Sequence, residues 1–197
     1  MSKTRVVVLA SGSGTLFQAL IDQQSEIGIE LIALVVDKDV LAVQRAIAAE
    51  ISVIEVPMLS ERAEWDRVMQ SVLTDLNPDL IVSAGFMRVL GAELVNKFSG
   101  RLINIHPALL PDFPGTHAVR DALAAGASKT GSTVHFIDSG VDTGPVIAQC
   151  AVEILPNDDE ETLHERIKQV ERVLLVETVR QIASGNISLV AGKVVRA

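Results

Sequence analysis

The chain has 197 residues, of which 48% are hydrophobic and 21% are charged, and its formal net charge is −8. This length suits one domain with a sizeable core, and the composition is that of a folded protein, not of a disordered one. The acidic balance argues against general binding to nucleic acid or to an anionic membrane surface. Cys150 is the only cysteine, which excludes a disulfide framework and a thiolate metal cluster.

The N-terminal segment has only five consecutive apolar residues after a short basic start, which is too few for a secretion signal. Nowhere does an apolar run reach the length of a transmembrane helix. We therefore expect a cytoplasmic protein that binds neither a membrane nor nucleic acid.

Short β-branched runs alternate with helical segments along the chain. They predict strands at 5–10, 30–36, 52–56, 79–83, 101–105, 132–137 and 145–154. Helices are predicted at 15–24, 41–50, 61–76, 91–97, 117–125 and 158–184, and a closing hairpin within 187–195 around Gly192. This βαβ rhythm favours an α/β protein whose Rossmann-like, open and mainly parallel sheet carries helices on both faces. We expect a single domain, 1–197, because no linker or repeat interrupts the pattern.

The first predicted strand runs into a glycine-rich turn, Ser11-Gly12-Ser13-Gly14-Thr15, that opens a helix. Glycines let backbone N–H groups approach an anion, and a helix N-terminus adds partial positive charge, so this turn can hold a phosphate. A dinucleotide fingerprint would have glycine in place of Phe17, and a P-loop would have a lysine. The alternatives are a plain turn with Ser/Thr capping and, because Asp37 ends the second strand, a nicotinamide-dependent enzyme.

A carboxamide and an imidazole, Asn104 and His106, stand two residues apart at the end of the fifth strand. Residues i and i+2 of a strand point to the same face, so both side chains enter one space. Pro107 ends regular pairing and places them at the C-terminal edge, where open α/β sheets bind ligands. The alternative is a structural histidine that is only hydrogen-bonded.

Asp142 lies in a glycine-rich loop, 138–145, that we expect at a C-terminal strand edge as well. Together with Asn104 and His106 it suits acyl transfer to an amine. The amide and the imidazolium would stabilise charge on a carbonyl oxygen, and the carboxylate would favour the imidazolium and help to move a proton. No serine or cysteine nucleophile motif accompanies the histidine, which favours direct transfer. The alternative is that Asp142 only forms a turn.

The other histidines give weaker signals. His135 falls within a predicted strand, His117 near a helix start and His164 on the last helix. None of them pairs at metal-ligand spacing, so we predict no metal site.

Three motifs of this chain resemble the signature of the folate-dependent formyltransferases. They are Asn-Ile-His-Pro-Ala-Leu-Leu-Pro at 104–111, Phe-Pro-Gly at 113–115 and Asp-Thr-Gly-Pro at 142–145, in matching order over nearly the whole chain. The resemblance implies transfer of a formyl group from 10-formyltetrahydrofolate, as co-substrate, to the amino group of glycinamide ribonucleotide in de novo purine (IMP) biosynthesis. It also implies small-molecule partners and makes a homodimer possible.

The resemblance also implies which residues form the site. The positions that match the family's catalytic residues are Asn104, His106 and Asp142. The positions that match its ribonucleotide site are Gly14, Thr15, Leu16, Lys168, Gln169, Val170 and Glu171, whose carboxylate would accept hydrogen bonds from ribose hydroxyls. The positions that match its folate site are Arg62, Met87, Arg88, Val89, Leu90, Asn104, Asp138, Ser139, Gly140, Val141 and Asp142.

Without the resemblance, several of these residues have ordinary explanations. The apolar residues of 87–90 are typical of a core, and Arg62, Lys168 and Glu171 are typical of a solvated helix face. One position departs from the family pattern, since relatives often carry asparagine where this chain has Leu16. Leucine offers a phosphate only its backbone N–H, so we expect a changed set of phosphate contacts and unchanged chemistry.

Other functions stay open on sequence alone. Methionyl-tRNA formyltransferase would need a tRNA-binding domain and a basic surface, and such relatives tend to show Arg-Gly where this chain has Pro114-Gly115. Formyltetrahydrofolate deformylase would need an N-terminal regulatory domain. The remaining alternatives are another folate-dependent formyltransferase, a nicotinamide-dependent oxidoreductase and a non-catalytic nucleotide-binding protein.

Overall fold

The structure, a computed structural model, describes residues 3–197. Its strands are β1 (Thr4–Ala10), β2 (Ile29–Val36), β3 (Ser52–Glu55), β4 (Leu80–Ser83), β5 (Leu102–His106), β6 (Lys129–Phe136), β7 (Val146–Glu153), β8 (Ile187–Val190) and β9 (Lys193–Arg196). Its helices are α1 (Thr15–Gln23), α2 (Leu41–Ala48), α3 (Arg62–Leu76), α4 (Ala92–Lys97), α5 (Ala118–Ala124) and α6 (Glu160–Ala183). Every predicted element is present, and its ends lie close to the predicted ones except at β6.

The main sheet has the strand order β3-β2-β1-β4-β5-β6-β7, and β8 pairs with β9 in a separate hairpin. The first five strands of this order run parallel to one another. Strand β6 runs antiparallel to both of its neighbours, β5 and β7. The predicted mainly parallel α/β sheet is therefore confirmed. One expectation was wrong: because β6 runs against β5, Ile137 bonds to Leu102 at the start of β5. The loop 138–145 thus leaves the sheet at the opposite edge from the one predicted.

Helices cover both faces of the sheet, as predicted. On one face α1, α2 and α6 pack against Val6 and Val8, and on the other α3 and α4 pack against Val7 and Leu9. Alternate residues of β1 therefore enter two different cores, which explains why this strand reads as an unbroken apolar run. Within residues 3–197, no helix combines the length and the apolar content needed to cross a bilayer.

Strand β6 begins at Lys129, earlier than predicted, because Gly131 does not interrupt it. A Cβ atom at Gly131 would lie 2.1 Å from the carbonyl oxygen of Cys150 on β7 and 2.8 Å from a methyl group of Leu109. Glycine here reflects the close approach of a neighbouring strand, not a turn.

The substitution Gly131→Ala tests this close approach. The added methyl group has no space, so we expect the free energy of unfolding to fall by about 1–3 kcal/mol, the usual cost of overpacking. Urea denaturation measures the change. Gly12→Ala is the matched control, because a Cβ atom at Gly12 meets no atom within 4 Å. Equal stabilities of the two variants would contradict the explanation.

Candidate active site

A cavity of about 210 Å³ lies where β4 and β5 end. Its walls come mainly from three segments, 85–90 after β4, 104–107 at the end of β5, and 137–142 after β6. The rim is apolar, because Met87, Val89 and Val141 line it with largely exposed side chains. Since a cavity of about 150 Å³ can hold a benzene ring, this one can enclose a bicyclic head group.

The end of β5 places Asn104 and His106 on the same face of the sheet. The imidazole of His106 is 5% exposed and lies between two acceptors. Its Nδ1 is 3.4 Å from Oδ2 of Asp142, and its Nε2 donates to the carbonyl oxygen of Phe113 at 2.8 Å. A histidine donates from both nitrogens only when it is doubly protonated. Both ring nitrogens of His106 therefore face an oxygen atom.

The carboxylate of Asp142 reaches His106 over the face of the sheet. Its φ of 55° is left-handed, a conformation that aspartate adopts more readily than most side chains. The N–H of Gly115 donates to its Oδ2 at 2.9 Å. Burial would raise the pKa of Asp142, but hydrogen bonds from His135 and Gly115 and the charges of the two histidines outweigh burial and lower that pKa to about 2. Asp142 is therefore ionised at neutral pH.

The loop that carries Asp142 is held by short contacts of its own. Oδ1 of Asp138 accepts hydrogen bonds from the N–H of Gly140 at 3.0 Å and from the hydroxyl of Thr143 at 2.7 Å. A Cβ atom at Gly144 would lie 1.8 Å from the carbonyl oxygen of Phe136, so only glycine fits there. The turn residues noted in the sequence therefore serve to set the position of the carboxylate.

His135 belongs to this site, although the sequence analysis ranked it among the weaker histidines. It is 2% exposed and is the register partner of Asn104 across β5 and β6. Its Nδ1 donates to the carbonyl oxygen of Phe136 at 2.9 Å. Its Nε2 lies 3.3 Å from Nδ2 of Asn104 and 3.5 Å from Oδ1 of Asp142. Only the antiparallel register reveals this contact, and no spacing within the sequence signals it.

Most residues of the predicted folate site line the cavity, but two do not. The lining residues are Met87, Arg88, Val89, Leu90, Asn104, Asp138, Gly140, Val141 and Asp142, and the two outside it are Ser139 and Arg62. The guanidinium of Arg62 donates to the carbonyl oxygen of Val89, pairs with Asp66 at 3.1 Å and lies 5.0 Å from the ring of Trp65. Arg62 therefore supports the cavity wall from behind.

The predicted phosphate turn lies at the start of α1, which packs with α6 on the other face of the sheet. Gly14 has a φ of 69°, and a Cβ atom there would lie 2.7 Å from Cβ of Ala42. Thr15 begins the helix. The side chain of Leu16 is buried in the core, so this residue offers a ligand only its backbone.

Glu171 and its neighbours on α6 form the other part of the predicted ribonucleotide site. Gln169 and Val170 follow Lys168, which pairs with Glu165 at 2.6 Å in the i,i+3 arrangement of an ordinary helix surface. Glu171 is different, because it is only 5% exposed and burial raises its pKa to about 7 against the opposing charge of Lys168. A solvated helix face therefore does not describe Glu171.

Asp37 does not have the surroundings of a ribose-binding acid. In a nicotinamide-dependent enzyme such a carboxylate would bond to ribose hydroxyls, whereas Oδ2 of Asp37 accepts from Nε of Arg88 at 2.6 Å and the side chain is buried. The geometry therefore disfavours the oxidoreductase alternative. Across residues 3–197, no group of three or more histidine, cysteine, aspartate or glutamate side chains could hold a metal ion.

Comparisons with known proteins show the family to which the chain is similar. Residues 4–179 match the family described as formyl transferase. The phosphoribosylglycinamide formyltransferase of Mycobacterium tuberculosis is 47% identical over 189 residues, which are 94% of this chain and 88% of that protein. The trifunctional purine biosynthetic protein adenosine-3 of Drosophila melanogaster is 44% identical over 190 residues, which are 93% of this chain but 14% of that much longer protein.

Solved structures give the same result. Glycinamide ribonucleotide transformylase 1 from Symbiobacterium toebii superimposes with a TM-score of 0.94 at 34% identity, covering 99% of this chain and 94% of that one. Phosphoribosylglycinamide formyltransferase from Coxiella burnetii gives a TM-score of 0.93 at 36% identity, covering 98% and 93%. This chain belongs to the formyl transferase family.

Proposed function

We propose that this protein transfers a formyl group from 10-formyltetrahydrofolate to the amino group of glycinamide ribonucleotide, a step of de novo purine (IMP) biosynthesis. The names of its relatives support the reaction. The observation that carries the proposal is the convergence of Asn104, His106 and Asp142 on one cavity. These are the amide, imidazole and carboxylate that acyl transfer to an amine requires.

The reaction forms one C–N bond and breaks another. The amine of the ribonucleotide attacks the formyl carbon, and the carbonyl electrons move to oxygen in a tetrahedral intermediate. The intermediate collapses with loss of the folate nitrogen N10, which gains a proton while the amine loses one. Formylated ribonucleotide and tetrahydrofolate are the products, and direct attack needs no covalent enzyme intermediate.

The chain's own groups stabilise the charge that develops in this sequence. Nδ2 of Asn104 and Nε2 of His106 would donate to the oxyanion. The oxyanion would replace the carbonyl oxygen of Phe113 as the acceptor at Nε2, and Oδ1 of Asp142 as one of the two partners of Nδ2. Asp142, ionised because its pKa is about 2, would stabilise positive charge that develops on the imidazole and would draw the proton from the attacking amine. His135 holds the other side of Asn104 and Asp142.

We assign the folate to the cavity and the ribonucleotide to the region between α1 and α6. The apolar rim and the backbone of 87–90 suit a flat heterocycle. The N-terminus of α1 offers backbone N–H groups to a phosphate. The carboxyl group of Glu171 lies beside Ser132 on β6. The next residue, Thr133, is the register partner of His106 on β5. Glu171 therefore lies at the same height along the strands as His106, on the opposite face of the sheet.

The decisive assay follows the folate spectroscopically. We expect deformylated folate to appear only when the enzyme, 10-formyltetrahydrofolate and glycinamide ribonucleotide are all present. Deformylation without the ribonucleotide would instead indicate a hydrolase.

The substitution Asp142→Asn tests the catalytic assignment. Asparagine also tolerates the left-handed backbone, but it carries no charge to support the imidazolium, so we expect kcat to fall by about 10²–10⁴-fold. Steady-state kinetics with both substrates measures the effect. Asp75→Asn, an equal charge change on the exposed side of α3, is the control. If both variants keep the wild-type kcat, Asp142 is not catalytic.

The raised pKa of Glu171 predicts a pH dependence of stability. Between its ordinary pKa of 4.5 and its folded pKa of about 7, only the folded protein holds the proton, so stability falls as pH rises through this window. Glutamine cannot ionise. Because a tenfold change in proton affinity corresponds to about 1.4 kcal/mol, Glu171→Gln should gain up to about 3 kcal/mol over wild type above pH 7, and nothing below pH 4.5.

Urea denaturation at a series of pH values from 5 to 8 measures this difference. Glu26→Gln, at an exposed position, serves as the control and should differ from wild type by the same small amount throughout. A constant difference between Glu171→Gln and wild type over this range would rule out a buried carboxyl that titrates near neutrality.

A further inference from the structure

The segment 85–90, which forms the folate-side wall of the cavity, is anchored at three points outside the cavity. The hydroxyl of Ser11, at the end of β1, accepts the N–H of Met87 at 2.9 Å. The guanidinium of Arg62 donates to the carbonyl oxygen of Val89. The third anchor is the pair formed by Arg88 and Asp37, which links the segment to the end of β2.

The Asp37–Arg88 pair joins a fully buried group to a cavity residue. The side chain of Asp37 is 0% exposed, that of Arg88 is 36% exposed, and Nε lies 2.6 Å from Oδ2. Arg88 lines the cavity, whereas Asp37 is not among the lining residues. Oδ1 of Asp37 has no hydrogen-bond partner within residues 3–197. Burying a carboxylate with one oxygen unpaired costs stability, so its presence requires an explanation.

We propose that Asp37 is a positioning residue for the folate: by holding Arg88 it keeps the backbone of 87–90 in the shape that binds the co-substrate. This inference rests on the assignment of the cavity to the folate. The segment 85–90 contains no helix or strand, so its backbone would otherwise lose conformational freedom when it binds a ligand. Anchors on β1, β2 and α3 remove that freedom in advance.

The position of Asp37 predicts a selective kinetic effect. Within residues 3–197, the one hydrogen bond of its side chain goes to Arg88, and none goes to the catalytic group Asn104–His106–Asp142 or to the start of α1. Loss of the anchor should therefore weaken folate binding and leave the chemical step and the ribonucleotide site unchanged. A residue that serves only the fold would lower stability without this selectivity.

The experiment compares Asp37→Ala and Asp37→Asn with wild type in formyl transfer. We expect the KM for 10-formyltetrahydrofolate to rise about tenfold in Asp37→Ala, in keeping with the loss of one charge-assisted hydrogen bond. The rise should be smaller in Asp37→Asn, which retains an acceptor oxygen and the shape of the side chain. The kcat and the KM for glycinamide ribonucleotide should stay within about twofold of wild type. Calorimetric titration with tetrahydrofolate should show the same weakening in Kd.

Two further variants complete the test. Asp39→Asn, which removes the same charge at an exposed position two residues away, should match wild type. Because Asp37 acts through Arg88, the double variant Asp37→Ala, Arg88→Met should have the same folate KM as Arg88→Met alone. The proposal would be overturned if the folate KM of the double variant exceeded that of Arg88→Met by the factor that Asp37→Ala causes alone. It would also be overturned if both Asp37 variants kept the wild-type folate KM and tetrahydrofolate Kd. A wild-type enzyme that transfers no formyl group would instead refute the proposed function.

Discussion

The arrangement of the site depends on one half-buried carboxylate. Asp142 would be a costly group to bury by itself, since desolvation disfavours its charge. It is ionised because His106, His135 and the N–H of Gly115 surround it. The carboxylate of Asp142 is the shared neighbour of both imidazoles and of the amide of Asn104, and it keeps these three side chains close together. Without this charge, the polar side chains on β5 and β6 would have no shared acceptor.

The sheet lies between the proposed folate-binding region and the proposed ribonucleotide-binding region. The cavity lies on the face that carries α3 and α4, whereas α1, α6 and the buried Glu171 lie on the other. The two regions approach each other where the parallel strands end, because the turn after β1 carries both the start of α1 and the hydroxyl of Ser11. That hydroxyl bonds to the folate-side segment at Met87. A single turn thus contacts both proposed binding regions.

Among residues 3–197, the buried titratable side chains lie in or beside the proposed binding regions. Asp37, His106, His135 and Glu171 are each at most 5% exposed. Two of these groups have clear electrostatic consequences. Burial raises the pKa of Glu171 to about 7, and Arg88 is drawn to Asp37 at the cavity wall. Burying a titratable group without a partner lowers stability. The position of such a group is therefore a better indicator of function than the position of an apolar core residue.

The sequence by itself determined the elements and part of the site. Apolar runs such as Val6–Leu9 predict strands buried on both faces, and the two-residue spacing of Asn104 and His106 places them on one face, because strand geometry is local. The glycine-rich loop 138–145 drew attention to Asp142, and the family resemblance then gave this residue the same catalytic role. The buried surroundings of Glu171 were not predicted, since a helical charge looks the same in sequence whether a partner covers it or not.

Tertiary structure decided the rest. The antiparallel direction of β6 brings His135 against Asn104, and it makes the loop 138–145 begin beside the start of β5, from where Asp142 reaches His106 over the face of the sheet. Likewise, Arg62 supports the cavity wall from outside, and Asp37 is bonded to Arg88, a residue far along the chain. The periodicity of an element is set by neighbouring residues. Strand direction and the choice of hydrogen-bond partners are set by the free energy of the whole fold, which is why only the folded structure shows them.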